Sequence, residues 1–189
     1  QVVGLKMRLL GDVGAYPRGS FIPVLAGWLF PGVYACKNMD MEIKTVYTNT
    51  MAVDAYRGAG RPEAAYYVER LMDLLADELK MDPAEIRRKN FIPPDAFPYK
   101  TTSGMTYDTG EYEKPLAKAL EIAGYANLRA EQARLRTQGR YMGIGLSTFT
   151  EICGFGPFES AAVRVEPTGQ VTVLTGISPH GQGSETTFA

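Results

Sequence analysis

An α+β (mixed α/β) fold is predicted by three features of this sequence. A stretch opened by Pro62 carries apolar residues at helical spacing as far as Leu79. MEIKTVYTN, residues 41–49, alternates apolar and polar side chains as a strand does, with Ile43 and Val46 imperfectly phased. AAVRVEPTGQVTVLTGI, residues 161–177, holds two alternating runs that turn back at Pro167-Thr168-Gly169, the pattern of a hairpin. Single and hairpinned strands thus mix with helices, without internal repeats or low-complexity segments.

In chain order, residues 1–16 predict a strand running into a Gly-containing bend. Residues 20–36, which hold the apolar run from Phe21 to Cys36, predict a short buried helix interrupted by prolines and glycines. After the strand at 41–49 comes the loop Asp54-Ala55-Tyr56-Arg57-Gly58-Ala59-Gly60-Arg61, then the longest helix. Pro62 suits its first turn, where a missing N–H costs nothing. Ala64, Val68, Leu71, Met72, Leu75 and Leu79 form one stripe, and Glu69, Arg70, Asp73, Asp77 and Glu78 are expected to face away. Burying the large side chains of that stripe is worth ~8–12 kcal/mol before chain entropy, so the helix must pack on a core. Asp82-Pro83-Ala84-Glu85 predicts a second helix with Asp82 as N-cap and Glu85 reaching back to it, ending near Asn90. Pro93, Pro94 and Pro98 make 91–104 an extended connector. A helix from Tyr112 to Ala123 is closed by Gly124, and a charged helix covers 127–138. YMGIGLSTFTEI, 141–152, predicts a strand ahead of the hairpin. The final loop, 176–189, opens another helix with Ser184 as N-cap.

Composition narrows the function. The 189 residues are 45% hydrophobic and 22% charged, as in a soluble globular protein. A net charge of −1 provides no global field for nucleic acid or an anionic membrane. The longest apolar run is too short and too broken to span a bilayer, and no signal peptide is visible, so a cytoplasmic protein is expected. Cys36 and Cys153 are expected as reduced thiols. With His180 they are the only soft ligands, too few for a four-ligand zinc site. A transition metal used here must be held mainly by something else. The chain begins at Gln1 inside a strand-like run and stops at Ala189 as a helix begins, which predicts a fragment incomplete at both ends.

Two loops carry the chemical signal. In the first, Gly58 and Gly60 bare the backbone at a helix mouth, where unpaired N–H groups favour an anion, and Arg57 adds a planar cation. It lacks the Gly-Lys-Ser/Thr of a P-loop and the third glycine of a dinucleotide fingerprint. In the second, Gly181-Gln182-Gly183 also precedes a helix, and Gln182 can both donate and accept. Both loops are expected to line one site.

Ala55-Tyr56-Arg57-Gly58-Ala59-Gly60-Arg61, followed by Pro62-Glu63-Ala64, resembles the active-site loop of the molybdenum-binding large subunit of the xanthine dehydrogenase/aldehyde oxidase family, in particular carbon monoxide dehydrogenase large-subunit sequences. Tyr47-Thr48-Asn49-Thr50, Phe149-Thr150-Glu151-Ile152-Cys153-Gly154, Val165-Glu166-Pro167-Thr168-Gly169 and Ser178-Pro179-His180-Gly181-Gln182-Gly183 extend the likeness over the whole chain. The resemblance implies a partial molybdopterin-binding region over 1–189, about a quarter of a subunit, from a molybdenum hydroxylase that oxidises an aldehyde-like or related small substrate with water. It implies a molybdenum–molybdopterin cytosine dinucleotide cofactor that brings its own sulfurs, with FAD and 2Fe-2S clusters on partner subunits of a dimerised heterotrimeric complex. By the same likeness, Arg57, Gly58, Ala59 and Gly60 face the molybdenum centre. Gly181, Gln182 and Gly183 bind the pterin, and Tyr56, Phe149, Glu151 and Ile152 border the substrate pocket.

Departures from the family pattern refine this. CO-oxidising relatives carry a copper-holding cysteine where this chain has Gly58. Purine-oxidising relatives carry a phenylalanine where it has Ala59. Both substrates are therefore disfavoured. The family's catalytic glutamate lies outside this chain, so no residue here is assigned that role, and Glu63 reads as a first-turn helix acid. The fragment alone is expected to be inactive. Two rivals are a non-catalytic cofactor-binding or assembly module of the same fold, and an unrelated nucleotide-binding enzyme.

Overall fold

The computed structural model describes residues 1–152 and 158–188. They form two compact units, Gln1–Thr150 and Glu151–Ala189.

The first unit opens with β1 (Leu5–Asp12), α1 (Ile22–Leu29) and β2 (Met39–Val46). The two strands pair in parallel, with Leu5 opposite Met39 and Asp12 opposite Val46. Parallel neighbours need a crossover connection, and the segment containing α1 is that crossover. Along β1 the sheltered residues are Leu5, Met7 and Leu9, while Lys6, Arg8 and Leu10 point to solvent. The alternation that marked 41–49 as a strand therefore reflects a sheet covered on one face.

The long helix α2 (Arg61–Leu79) follows the glycine loop, with Gly60 as N-cap. Its buried face is Ala64, Val68, Glu69, Met72 and Ala76. This corrects the expected stripe at both edges. Leu71 and Leu79 are 43% and 54% exposed, while Glu69, expected to face away, is 4% exposed. Close packing of α2 on its neighbours selected the small residues Ala64 and Ala76 over bulkier leucines. The core of this unit gathers Met7, Phe30, Val33, Tyr34, Val68, Met72, Ala76 and Ile86.

Helix α3 (Pro83–Arg88) is capped as predicted: the Asp82 carboxylate accepts from the Ala84 and Glu85 amides at 2.8 and 3.4 Å. Glu85 does not reach back to the cap. Its carboxylate is drawn to the Arg88 guanidinium one turn on, where an opposite charge outcompetes a neutral N–H. The connector after it is more ordered than expected, with a 3₁₀ turn at Pro94–Ala96 and a small antiparallel pair, β3 (Tyr99–Lys100) and β4 (Thr106–Tyr107). Helices α4 (Glu113–Ala123) and α5 (Tyr125–Thr137) meet at Gly124, which takes φ +62° as the C-cap of α4. The predicted strand at 141–152 does not form, because residues 141–150 pair with no strand although alternate ones are sheltered.

The second unit holds the predicted hairpin, β5 (Ala161–Val165) antiparallel to β6 (Val171–Thr175). Its last helix, α6 (Ser184–Thr187), is capped by Gly183, and Ser184 is its first residue, not its N-cap. Among the described residues no helix is long and apolar enough to cross a membrane.

Candidate cofactor-binding site

The loop from Tyr56 to Gly60 is a tight turn feeding α2. Gly58, Ala59 and Gly60 have φ values of +101°, +41° and +95°. Three successive left-handed residues reverse the chain within a few ångströms, and glycine is the residue that tolerates this. The turn closes on itself: the Ala59 N–H donates to the Tyr56 carbonyl at 2.8 Å and the Arg61 N–H to the Gly58 carbonyl at 3.1 Å. The Arg61 guanidinium donates to the same Gly58 carbonyl at 3.0 Å.

These bonds change what the glycines do. A Cβ on Gly60 would stand 2.5 Å from the Ile22 carbonyl oxygen, and one on Gly58 would stand 2.6 Å from the Pro62 ring. The bare backbone is therefore needed first for the loop to pack on α1 and on the first turn of α2. What the turn offers outward are the side chains of Tyr56 and Arg57, both exposed, with Gly58 and Ala59 half-buried. Below the loop, Val13, Pro23, Val53, Asp54, Glu63 and Tyr67 contribute to a cavity of about 260 Å³.

Part of the predicted substrate border lies beside this loop. Thr148, Phe149 and Thr150 pack against Leu29, Gly32, Arg61, Ala64 and Ala65, around a crevice of about 10 Å³. The first two turns of α2 therefore carry the glycine loop at one end and support Phe149 on the side. Phe149 itself is 66% exposed. Glu151 and Ile152 belong to the second unit, where the Glu151 carboxylate accepts from the Ile152 amide at 3.0 Å. Cys153 and Gly154 of the same motif lie outside the described residues.

Sequence reasoning missed the residues that anchor residues 146–148. The Arg87 side chain is wholly buried and that of Glu69 is 6% exposed; Arg87 Nε donates to Glu69 Oε2 at 2.8 Å. Arg87 Nη2 also donates to Asp73 Oδ1 and to the Leu146 carbonyl, both at 2.9 Å. Glu69 accepts from the Tyr34 hydroxyl at 2.5 Å and from the Thr148 N–H at 2.9 Å. Burial, and then the Glu69 charge, raise the Tyr34 hydroxyl above its ordinary value, so it stays protonated and donates. Burial opposes the charge on Arg87, but Glu69 and Tyr34 outweigh it and the guanidinium is held above its usual value. A signal existed in the sequence: Glu69 falls at helical spacing with Met72 and Ala76, on the face those residues bury.

In the second unit, Gly181-Gln182-Gly183 forms a loop held by Gln182 itself. The Gln182 amide accepts from the His180 N–H at 2.5 Å and donates to the Ser178 carbonyl at 3.0 Å. His180 Nδ1 lies 2.7 Å from that same carbonyl. A Cβ on Gly183 would meet nothing within 4 Å, so this loop presents backbone to open space.

Each unit by itself offers polar groups of this kind in its glycine loop: a guanidinium and backbone at residues 57–60 in the first, an amide and backbone at residues 181–183 in the second. Among the described residues no three His, Cys, Asp or Glu side chains gather as a metal site. Such residues fit a cofactor held by hydrogen bonds and shape whose metal ligands are its own.

Comparison with known proteins agrees with this chemistry. Residues 1–91 and 118–189 each match a family described as molybdopterin cofactor-binding domain. The carbon monoxide dehydrogenase large chain of Hydrogenophaga pseudoflava is 39% identical over all of this chain and 26% of its own length. The 6-hydroxypseudooxynicotine dehydrogenase complex subunit gamma of Paenarthrobacter nicotinovorans is 35% identical over all of this chain and 25% of its own. The crystal structure of quinoline 2-oxidoreductase from Pseudomonas putida 86 superposes with a TM-score of 0.86 at 34% identity, covering 98% of this chain and 26% of that one. The chain thus spans about a quarter of the length of these relatives, each named as a dehydrogenase or an oxidoreductase. With both halves matched to the same cofactor-binding description, the chain belongs to the molybdopterin cofactor-binding domains of the xanthine dehydrogenase/aldehyde oxidase family.

Proposed function

We propose that this chain is part of the molybdopterin-binding region of the large subunit of a molybdenum hydroxylase that oxidises an aldehyde-like or related small substrate with water. The observation that carries the reading is the juxtaposition of a left-handed glycine turn and the Phe149 segment on the first turns of α2, within a chain matched in both halves to cofactor-binding domains. When bound, the molybdenum pterin supplies the electron sink for the oxidation. Arg57 presents a cation and its donors to it, and the tight turn from Gly58 to Gly60 sets the surface from which that side chain extends. Gly181, Gln182 and Gly183 hold the pterin, Gln182 by ordering the loop whose backbone does the binding. Tyr56, Phe149, Glu151 and Ile152 shape the approach of substrate.

In this reading the pterin carries a cytosine dinucleotide tail. Electrons leave through FAD and 2Fe-2S clusters on partner subunits of a dimerised, cytoplasmic, heterotrimeric complex. The names of relatives as a large chain and as a subunit of a complex support that assembly. Gly58 at the position of the copper-holding cysteine argues against CO as substrate. The likeness to quinoline 2-oxidoreductase favours a second substrate class, an N-heterocycle.

The test uses the full-length protein matured with its partners. Molybdenum near one per large subunit, release of a cytosine nucleotide on hydrolysis of the pterin, and turnover of aldehydes or quinoline but not CO are expected. A matured complex without molybdenum overturns the reading. Gln182→Ala is expected to cut molybdenum retention by ~1–3 kcal/mol, the cost of leaving polar partners unmade, and unchanged metal content counts against the role of that loop.

A further inference from the structure

A backbone segment without a strand partner must satisfy its polar groups elsewhere. In residues 141–150 side chains do this. Gln132 Nε2 donates to the Met142 carbonyl at 2.8 Å, and Arg87 Nη2 donates to the Leu146 carbonyl at 2.9 Å. The Thr148 N–H donates to Glu69 Oε2 at 2.9 Å, and its hydroxyl donates to Oε1 at 3.2 Å. Two of these anchors, Glu69 and Arg87, form an ion pair withdrawn from water.

Burying two charges merely to hold α2 against α3 is an inefficient device, since an apolar pair of similar volume does as well or better. This pair does more. After Glu69 and Arg87 bind each other, the remaining oxygen and N–H valences grip Leu146 and Thr148 on either side of Ser147. Glu69 lies on the same helix as the glycine loop, about two turns beyond its start. Just past the grip, Phe149 packs beside Arg61, Ala64 and Ala65 at that start.

We propose that Glu69 and Arg87 are positioning residues that fix residues 146–150 along α2, so that Phe149 stands at the mouth of the glycine loop and sets how substrate approaches. Neither residue touches the reacting atoms; both act through Leu146 and Thr148. The proposal rests on the cofactor-site reading above.

The test compares Glu69→Ala, Glu69→Gln and Thr148→Val in the full-length complex. Three quantities are read: hydrogen exchange of the peptide covering 146–150, molybdenum per subunit, and kcat and KM with benzaldehyde and quinoline as probes. Glu69→Ala is expected to speed exchange of that peptide about tenfold, the effect of one lost charged hydrogen bond, and to raise KM by about the same factor. Molybdenum content and kcat stay within about twofold. Glu69→Gln keeps an oxygen for the Thr148 N–H and is expected to restore most of both losses. Should Glu69→Ala fail to assemble, Thr148→Val removes only the hydroxyl's bonds and is expected to shift exchange and KM about threefold. Unchanged exchange, or faster exchange with KM unmoved, overturns the proposal. Exchange is measured on folded protein whether or not it carries molybdenum, so failure of the cofactor reading gives a different result from failure of this one.

Discussion

At the scale of single residues, Gly58 and Gly60 show how one sequence feature serves two ends. Read as a motif, they expose backbone to a ligand. In the fold they also keep the loop from colliding with α1 and with Pro62, and both sit at positive φ. This bears on the substrate. Gly58→Cys would restore the residue type of CO-oxidising relatives, but at φ +101° and with Pro62 Cγ 2.6 Å from the new Cβ. The variant is expected to lose ~1–3 kcal/mol, the cost of a strained backbone position, and to gain no CO oxidation. Gly60→Ala meets backbone atoms of α1 and is expected to lose at least as much. Denaturant unfolding of the full-length variants reads both. An Ala at Gly60 with an unchanged midpoint would show that the packing there has room to give.

At the scale of elements, what was legible followed from local chemistry. Pro62 in the first turn of α2, the Asp82 cap, the Gly124 stop and the 161–177 hairpin each depend on a few adjacent residues, and each forms as read. What was not legible depends on distant partners. The alternation in 141–150 is real, but Glu69 and Arg87, far off in sequence, occupy the backbone groups a neighbouring strand would have taken. The face of α2 shifted for the same reason, since Arg87, with Tyr34 and Thr148, makes burial of Glu69 tolerable. Of the site, the loops and Phe149 were legible as motifs, and their supports were not. One support is directly testable. The Asp82 carboxylate caps α3 and also accepts from the Tyr125 hydroxyl of α5 at 2.9 Å. Asp82→Ala is expected to cost ~1 kcal/mol or more, as N-cap losses do. Burial, then the bond to Asp82, push Tyr125 up to about 12 from 10.0. Its folded value is raised, so its stabilisation is whole below the ordinary value and fades as pH rises through the folded one. The stability gap between wild type and Tyr125→Phe is therefore expected to narrow from about pH 10 to about pH 12 in urea titrations. A gap constant over that range would contradict the bond.

At the scale of the whole molecule, exposure says where more protein is needed. Among the described residues each sheet has two strands, and β1 pairs only with β2. Two-stranded sheets are marginal alone, and an unpaired strand edge is a template for association. Next to β1, Leu71 and Leu74 of α2 are exposed and join Met7, Leu9, Phe30 and Tyr67 around a mostly apolar cavity of about 360 Å³. Leu10, 68% exposed, adds to the solvent face of β1. The chain spans about a quarter of its relatives' length, and in a subunit of that length further segments would be there to cover such surface. Expressed alone, the 189 residues are expected to self-associate with rising concentration and to bind a hydrophobic dye, whereas the full subunit does neither. Leu10→Lys, a charge on the exposed face of a strand edge, is expected to shift the isolated chain toward monomer in sedimentation velocity. A chain that stays monomeric and dye-silent at high concentration would mean that these surfaces are self-sufficient, and that the two-stranded sheet is stabilised by α1 and α2 alone.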